Sequence, residues 1–465
     1  MSVVAEHLAQ HPTPQSLHPL RAVETRAVGY GGSLEFESWV ETGPPGLSNE
    51  GEAADTPTAF ALRGYLRDKP WIAPSQPICF LTDVHADREA FWRSLLGAGM
   101  VSASGVDDLL DLAAIPDEAF EPTPFGQQTH FILGGDLFDK GPANLPLLEA
   151  ISAFRKTGIR FTLLAGNHDV RTCLGIRFAR ATDPRLAHLF VRMGKKTMTL
   201  FKEVFDAHLA GGDRRERLSD ESVREQLFPA PSWFEEFPRM AEGTVPPSRI
   251  EKEIRRVREK MEELEQRCRS LGMSLGDLHA TLERCERLFL EPGGEHAWVF
   301  GEMQLAHREG SLLFAHAGVD DVAAGWIRDR GLEFVRRRFH ETLANEPFEL
   351  YNGPLGNMFR TKYRDLDLPM SEAGLVALHG VGLYAIVHGH RNVFLGQHMN
   401  FRRGMLNFAC DACVDINTRR IEGLPGEGSA ATILATDGTL YGLSADHPAV
   451  KVFDPVDYGG WVTKV

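Results

Sequence analysis

Five short clusters carry side chains able to bind cations or move protons. They are Asp83-Val-His85, Asp136-Leu-Phe-Asp139-Lys140-Gly141, Asn167-His168-Asp169, His316-Ala-Gly318 and His388-Gly389-His390. Carboxylate, imidazole and amide donors suit hard or borderline cations such as Mn, Fe and Zn. No cysteine joins the set, which argues against a closed structural zinc site. Any one cluster alone reads as a satisfied polar group at a strand end; five in one chain read as a site.

Each cluster follows an apolar run of strand length: "PICFLT", "HFILG", "RFTLLA", "SLLFAH" and "YAIVH". A further run, "MLNFA", precedes a hairpin expected around Asp437-Gly438. Helical segments separate the early runs, as in "NLPLLEAISAFRKTG", where Gly158 is a stop signal. Uninterrupted apolar strands alternating with helices predict buried sheets with helices outside. In such folds ligands gather beyond the carboxyl ends of the strands, so the five clusters would surround one small volume.

One block has another period. From Ile250 to Phe289 apolar residues recur at alternating steps of four and three, which places one seam along a helix. Gly272 and Gly276 interrupt it, and Ser274 to Asp277 has the form of a new N-cap with an acidic third position. The spacing predicts a helical hairpin over 250–290, either packed on the core or free to dock a protein partner.

The chain has 465 residues, 43% of them hydrophobic and 25% charged, which fits a globular protein with a substantial core. A formal charge of −14 disfavours a broad nucleic-acid or anionic-membrane surface, and with it a nuclease. An anionic substrate would need local positive charge, which bound cations would provide. The first twenty residues lack the pattern of a secretory signal, and no run approaches a membrane span. The six cysteines are too scattered for a disulfide scaffold, so the expected compartment is the cytoplasm. Cys410 and Cys413 form a lone C-x-x-C without a second pair, a weak signal for redox chemistry or metal binding.

"DVH", "GDLFDKG", "GNHD", "HAG" and "HGH", in this order, resemble the motifs of the calcineurin-like metallophosphoesterases. Within them the chain is similar to the phosphoprotein phosphatase branch, which also holds bacterial diadenosine tetraphosphatases. The resemblance covers roughly residues 75–180 and 300–450. It implies an α/β two-sheet sandwich flanked by helices, with a helical insertion. The expected divisions are an irregular N-terminal extension (1–74), a first core part (75–190), the insertion (191–300) and a second core part (301–465).

The resemblance also implies a centre of two divalent or trivalent cations, Mn, Fe or Zn. Asp83 and His85 would bind the first, Asp136 would bridge both, and Asn167, His316 and His390 would bind the second. His388 is the alternative to His390. His168 would be the proton donor, oriented by Asp139, while Lys140 and Arg360 would grip the phosphoryl group, with Arg364 the alternative to Arg360. The branch usually has Arg where this chain has Lys140, a point charge in place of a planar fork. Two cations about 3.5–4 Å apart can clamp the attacking and leaving oxygens of an in-line displacement and lower the pKa of a bound water. The expected activity is that of a serine/threonine protein phosphatase-like phosphomonoesterase using a metal-bound hydroxide. The alternatives are hydrolysis of a dinucleoside polyphosphate or other nucleotide, and, more remotely, a non-catalytic scaffold.

Overall fold

A computed structural model describes residues 35–39, 58–67, 69–103, 111–212, 217–243, 245, 247–365 and 367–464. The strands that matter for the site are β1 (Glu35–Ser38), β2 (Ile78–Leu81), β3 (His130–Leu133), β4 (Phe161–Leu163), β5 (Ala306–Glu309) and β6 (Leu312–Ala315). After them come β7 (Ala385–His388), β8 (His398–Arg402), β9 (Met405–Ala409), β10 (Ala430–Leu434), β11 (Leu440–Ser444) and β12 (Ala449–Phe453). One sheet has the order β1-β12-β11-β10-β2-β3-β4, the other β8-β9-β7-β6-β5.

Alternation along the strands explains why two sheets form. Every residue of β2, β3, β6 and β7 is buried, so both faces of each strand are covered. Ile78, Phe80 and Ile132 point into a cluster with Leu312, Phe314, Val387 and Phe408 of the facing sheet. The rings of Phe80 and Phe314 lie 5.5 Å apart there. Their neighbours Cys79, Leu81, Phe131 and Leu133 turn the other way, into the helical side with Phe91 and Phe154. Burying each such ring stabilises the fold by roughly 1.5–3 kcal/mol. At the strand starts Glu309 of β5 meets two imidazoles, His130 of β3 at 3.3 Å and His307 at 2.9 Å, tying the sheets together.

Parallel pairing aligns the other ends. Leu81 pairs with Leu133 and Leu133 with Leu163, while Phe314 pairs with Val387. The residues that follow these strands therefore emerge along one edge of the sandwich, the arrangement in which open α/β sheets bind ligands.

Most of segment 1–74 lies outside the described residues. Within it, β1 adds a parallel edge strand beside β12, and the helix Ala59–Leu66 buries Leu62 and Leu66. Five longer helices frame the site: α1 (Asn144–Lys156), α2 (Asn167–Arg177), α3 (Met198–His208), α4 (Pro247–Ser270) and α5 (Leu275–Phe289). Gly272, at φ 71°, breaks the chain after α4. Ser274 and Asp277 then exchange side-chain to backbone hydrogen bonds that start α5.

The two helices of residues 250–290 differ in surroundings. On α4 only Ile250, Val257, Leu264 and Cys268 are buried. On α5 Leu278, Leu282 and Cys285 are fully buried, together with Asp277 and Thr281. An arm that stands off the body would expose one face of both helices; α5 is instead interior. Among the described residues no helix is long and apolar enough to cross a membrane.

Candidate metal centre

The loops after β2, β3 and β7 hold an unusual backbone. Asp83, His85, Asp136, Asp139, Lys140 and His390 all have positive φ, between 42° and 68°. Non-glycine residues rarely adopt that region, and strain of this kind persists only where the surroundings fix it. Two glycines permit the close approach. A Cβ on Gly389 would fall 2.0 Å from Asp83 Oδ2, and one on Gly166 would fall 2.2 Å from Asp136 Oδ1. Any side chain at either position would push these carboxylates out of place.

Asp83, His85 and Asp136 form one group of potential ligand atoms, and Asp136, His316 and His390 a second. Asp136 belongs to both. Its Oδ1 lies 3.5 Å from His316 Nε2, and its Oδ2 lies 3.8 Å from His85 Nε2, which is also 3.8 Å from Asp83 Oδ1. These gaps are too long for hydrogen bonds. They suit atoms that share a cation, each at about 2.0–2.2 Å from it.

The partners of the other atoms support that fit. His316 Nδ1–H donates to the Gly134 carbonyl (2.8 Å), which leaves the Nε2 lone pair aimed at Asp136. His85 Nδ1–H points at the Phe138 carbonyl in the same way (3.3 Å). Asp83 Oδ2 accepts from the Thr82 hydroxyl (2.6 Å) and the His390 N–H (3.0 Å), and Asp136 Oδ1 accepts from the His168 N–H (2.9 Å). Buried His316 Nε2 and His390 Nε2 have no hydrogen-bond partner. The donor set thus fits two cations sharing Asp136.

Asn167 stands beside His390. In one orientation its amide nitrogen donates to His390 Nδ1 (2.7 Å), and its oxygen accepts from the His168 N–H and from Arg171. In the other orientation the oxygen takes that place facing the ring nitrogen, as two ligands of one cation would. His388 is turned away. Its Nδ1–H donates to the Gly389 carbonyl (2.9 Å), and its Nε2 accepts from Arg391 (2.7 Å), so both nitrogens are engaged.

His168 and Asp139 form a buried pair, Nδ1 to Oδ2 at 2.8 Å, and the Thr197 hydroxyl holds the other Asp139 oxygen at 3.1 Å. Burial keeps the His168 imidazole below its ordinary pKa, against the raising effect of the Asp136 and Asp139 carboxylates. Burial alone would raise Asp136, but the His316, His168 and His85 imidazoles hold it well below the carboxylate range. The Lys140 ammonium donates to His85 Nε2 at 2.7 Å, using the lone pair that a cation held beside Asp83 and Asp136 would take in its place. Although burial opposes its charge, the carboxylates of Asp411, Asp136, Asp83 and Asp415 raise its pKa and keep it cationic.

A cleft of about 550 Å³ opens beside these groups, lined by Asp136, Lys140, Asn167, His168, Arg360 and His390 among others. Arg360 lies over the Tyr351 ring with its guanidinium carbon 4.9 Å from the centroid, and Arg364 lines the same cleft. The Cys410 and Cys413 thiols are buried; burial pushes the former up to about 12, so neither offers a thiolate.

Asp169 stands in one of the five clusters, but the sequence alone assigns it no role. Its carboxylate accepts from the backbone N–H groups of Gly166 (2.9 Å), Asp136 (2.8 Å) and Leu137 (2.8 Å). It thereby staples the β3 loop to the start of α2. A Gly-Asn-His-Asp run ahead of a helix has the acidic third position of an N-cap, a signal that could have marked it. Arg391, which fixes His388, carries no comparable signal.

Residues 76–238 match the family model described as calcineurin-like phosphoesterase. Comparison with curated proteins gave no match. Among solved structures, a cold-active protein-tyrosine phosphatase of a psychrophilic Shewanella species is 13% identical, with 89% of this chain and 91% of that chain covered and a TM-score of 0.42. A protein serine/threonine phosphatase from Saccharomyces cerevisiae with similarity to human phosphatase PP5 is 11% identical, with 85% and 86% covered and a TM-score of 0.32. The family match spans Asp83, His85, Asp136, Asn167 and His168, the first three strand ends of the centre described above, so residues 76–238 of this chain are similar to the calcineurin-like phosphoesterases.

Proposed function

We propose that the chain is a serine/threonine protein phosphatase-like phosphomonoesterase that transfers the phosphoryl group directly to water. One observation carries this reading: the two oxygens of Asp136 face different imidazoles, His316 at 3.5 Å and His85 at 3.8 Å. Cations held there would polarise the phosphoryl oxygens and acidify a water molecule. Asp83 and His85 would hold one, and Asn167, His316 and His390 the other. Their identities among Mn, Fe and Zn follow from donor type alone.

The chain's own residues supply the rest. Lys140 and Arg360, which both line the cleft, neutralise the phosphoryl oxygens. His168, held by Asp139, gives a proton to the departing alkoxide, which is a poor leaving group without one. In a direct displacement the bond from the water oxygen to phosphorus would form as the ester P–O bond on the opposite side breaks, without a covalent phosphoenzyme.

The test is turnover by protein reconstituted with Mn, Fe or Zn. Phosphoserine and phosphothreonine peptides, dinucleoside polyphosphates and small phosphoesters would be compared. The expected result is hydrolysis of phosphomonoesters, with phosphopeptides preferred. Faster turnover of dinucleoside polyphosphates would move the reading to nucleotide hydrolysis. Failure on every substrate with every metal would overturn it.

A further inference from the structure

The cleft is more basic than one phosphoryl group requires. Nine Lys or Arg side chains line it against four carboxylates, in a chain of net charge −14. One of those carboxylates is Asp136. Two others are already paired, Glu253 with Arg192 at 2.6 Å and Asp367 with Arg249 at 3.1 Å. Like charges crowded into a partly desolvated cavity repel unless an anion balances them. Arg360 Nε is buried there without a hydrogen-bond partner.

The sequence of α4 explains where much of this charge comes from. Its apolar seam, Ile250, Val257 and Leu264, faces the core. Arg249, Lys252 and Arg256 recur at steps of three and four beside that seam, so one flank of the helix faces the cleft. Arg171 and Arg192 face it as well. The Tyr351 phenol reports the resulting field. Burial alone would raise it, yet Arg192, Arg171 and Arg360 bring it down to about 7.

We propose that α4 builds a second anion subsite. The preferred substrate carries a second phosphate that is not hydrolysed, and Lys252 and Arg256 hold it while the first phosphate lies at the Asp136 centre. This rests on the phosphoesterase reading above. The same chemistry could arrive on a small bisphosphate or on a doubly phosphorylated peptide. A cleft of about 550 Å³ lies within the range of small-molecule sites.

The experiment measures phosphate release by the metal-loaded full chain on two matched pairs. One pair is adenosine 5′-monophosphate and adenosine 3′,5′-bisphosphate; the other is a peptide phosphorylated once or twice. The wild-type chain should favour the doubly phosphorylated member of at least one pair by about tenfold in kcat/KM, and the pair that shows it names the source. Lys252→Gln with Arg256→Gln changes two exposed positions, and a melting curve verifies that the variant folds. In it the ratio should fall toward one, chiefly through KM, with a much smaller loss on para-nitrophenyl phosphate. Equal rates within both pairs, or a preference that survives the double substitution, would overturn the subsite alone. No turnover of any phosphoester would instead remove the phosphoesterase reading, and the subsite with it.

Discussion

His168 follows Asn167 in the chain, yet the two do different work. Asn167 reaches His390 and the second cation group, while His168 lines the cleft with its Nδ1 held 2.8 Å from Asp139. A proton donor matters most when the leaving group is basic. His168→Ala is therefore expected to lose about 10²–10⁴-fold on an alkyl phosphate. On para-nitrophenyl phosphate, whose phenolate leaves readily, the loss should be smaller, with bound metal retained. Equal losses on both substrates, measured as kcat, would assign His168 another role. Lys140 shows how a point charge differs from a fork. Its ammonium contacts His85 Nε2 directly, so it stands against the cation ligands as well as facing the cleft. The candidate metal ligands stand out in the sequence because each cluster follows a strand of its own, whereas Arg360 ends the helix Pro354–Arg360 and follows none. Asp169 was harder to see: its carboxylate serves backbone N–H groups on two loops, and only the folded chain brings those loops together.

The helices of the insertion divide between structure and recognition. Leu282 of α5 is wholly buried, so Leu282→Ala should cost about 2–5 kcal/mol in a denaturant melt. A change under about 0.5 kcal/mol would mean that α5 is not part of the core. Tyr351 offers a test of the cleft's field by pH. With its phenol at about 7, raising the pH through 7 adds a negative charge among Arg171, Arg192 and Arg360. KM for a phosphoester should therefore climb more steeply between pH 6 and 8 in wild type than in Tyr351→Phe. Identical pH profiles of the two would contradict that account. The 250–290 period was readable because its seam repeats regularly, and so was the break at Ser274. Periodicity gives one apolar face, however, and says nothing of what covers the others. That is why the interior position of α5 could not be read, nor the cleft-facing flank of α4. Arg171, Arg192, Arg249 and Arg256 carry no common motif; only packing gathers them.

At the scale of the whole molecule, two parallel strand sets bring five polar clusters to one edge between otherwise apolar sheets. The strands were legible because burial on both faces demands uninterrupted apolar runs. The sheet order was not, since β10, β11 and β12 arrive late in the chain yet pair beside β2. Basic side chains gathered around one cleft, in a chain of net charge −14, would focus the field where an anionic substrate enters. Everything in this account depends on Asp136 serving two cations at once. The direct measurement is metal content per chain, by elemental analysis after equilibration and gel filtration, for wild type and Asp136→Asn. The account predicts about two metals per wild-type chain. In the variant most of that metal should be gone, along with nearly all activity on para-nitrophenyl phosphate. A variant that keeps two metals per chain and turns over as wild type does would contradict it.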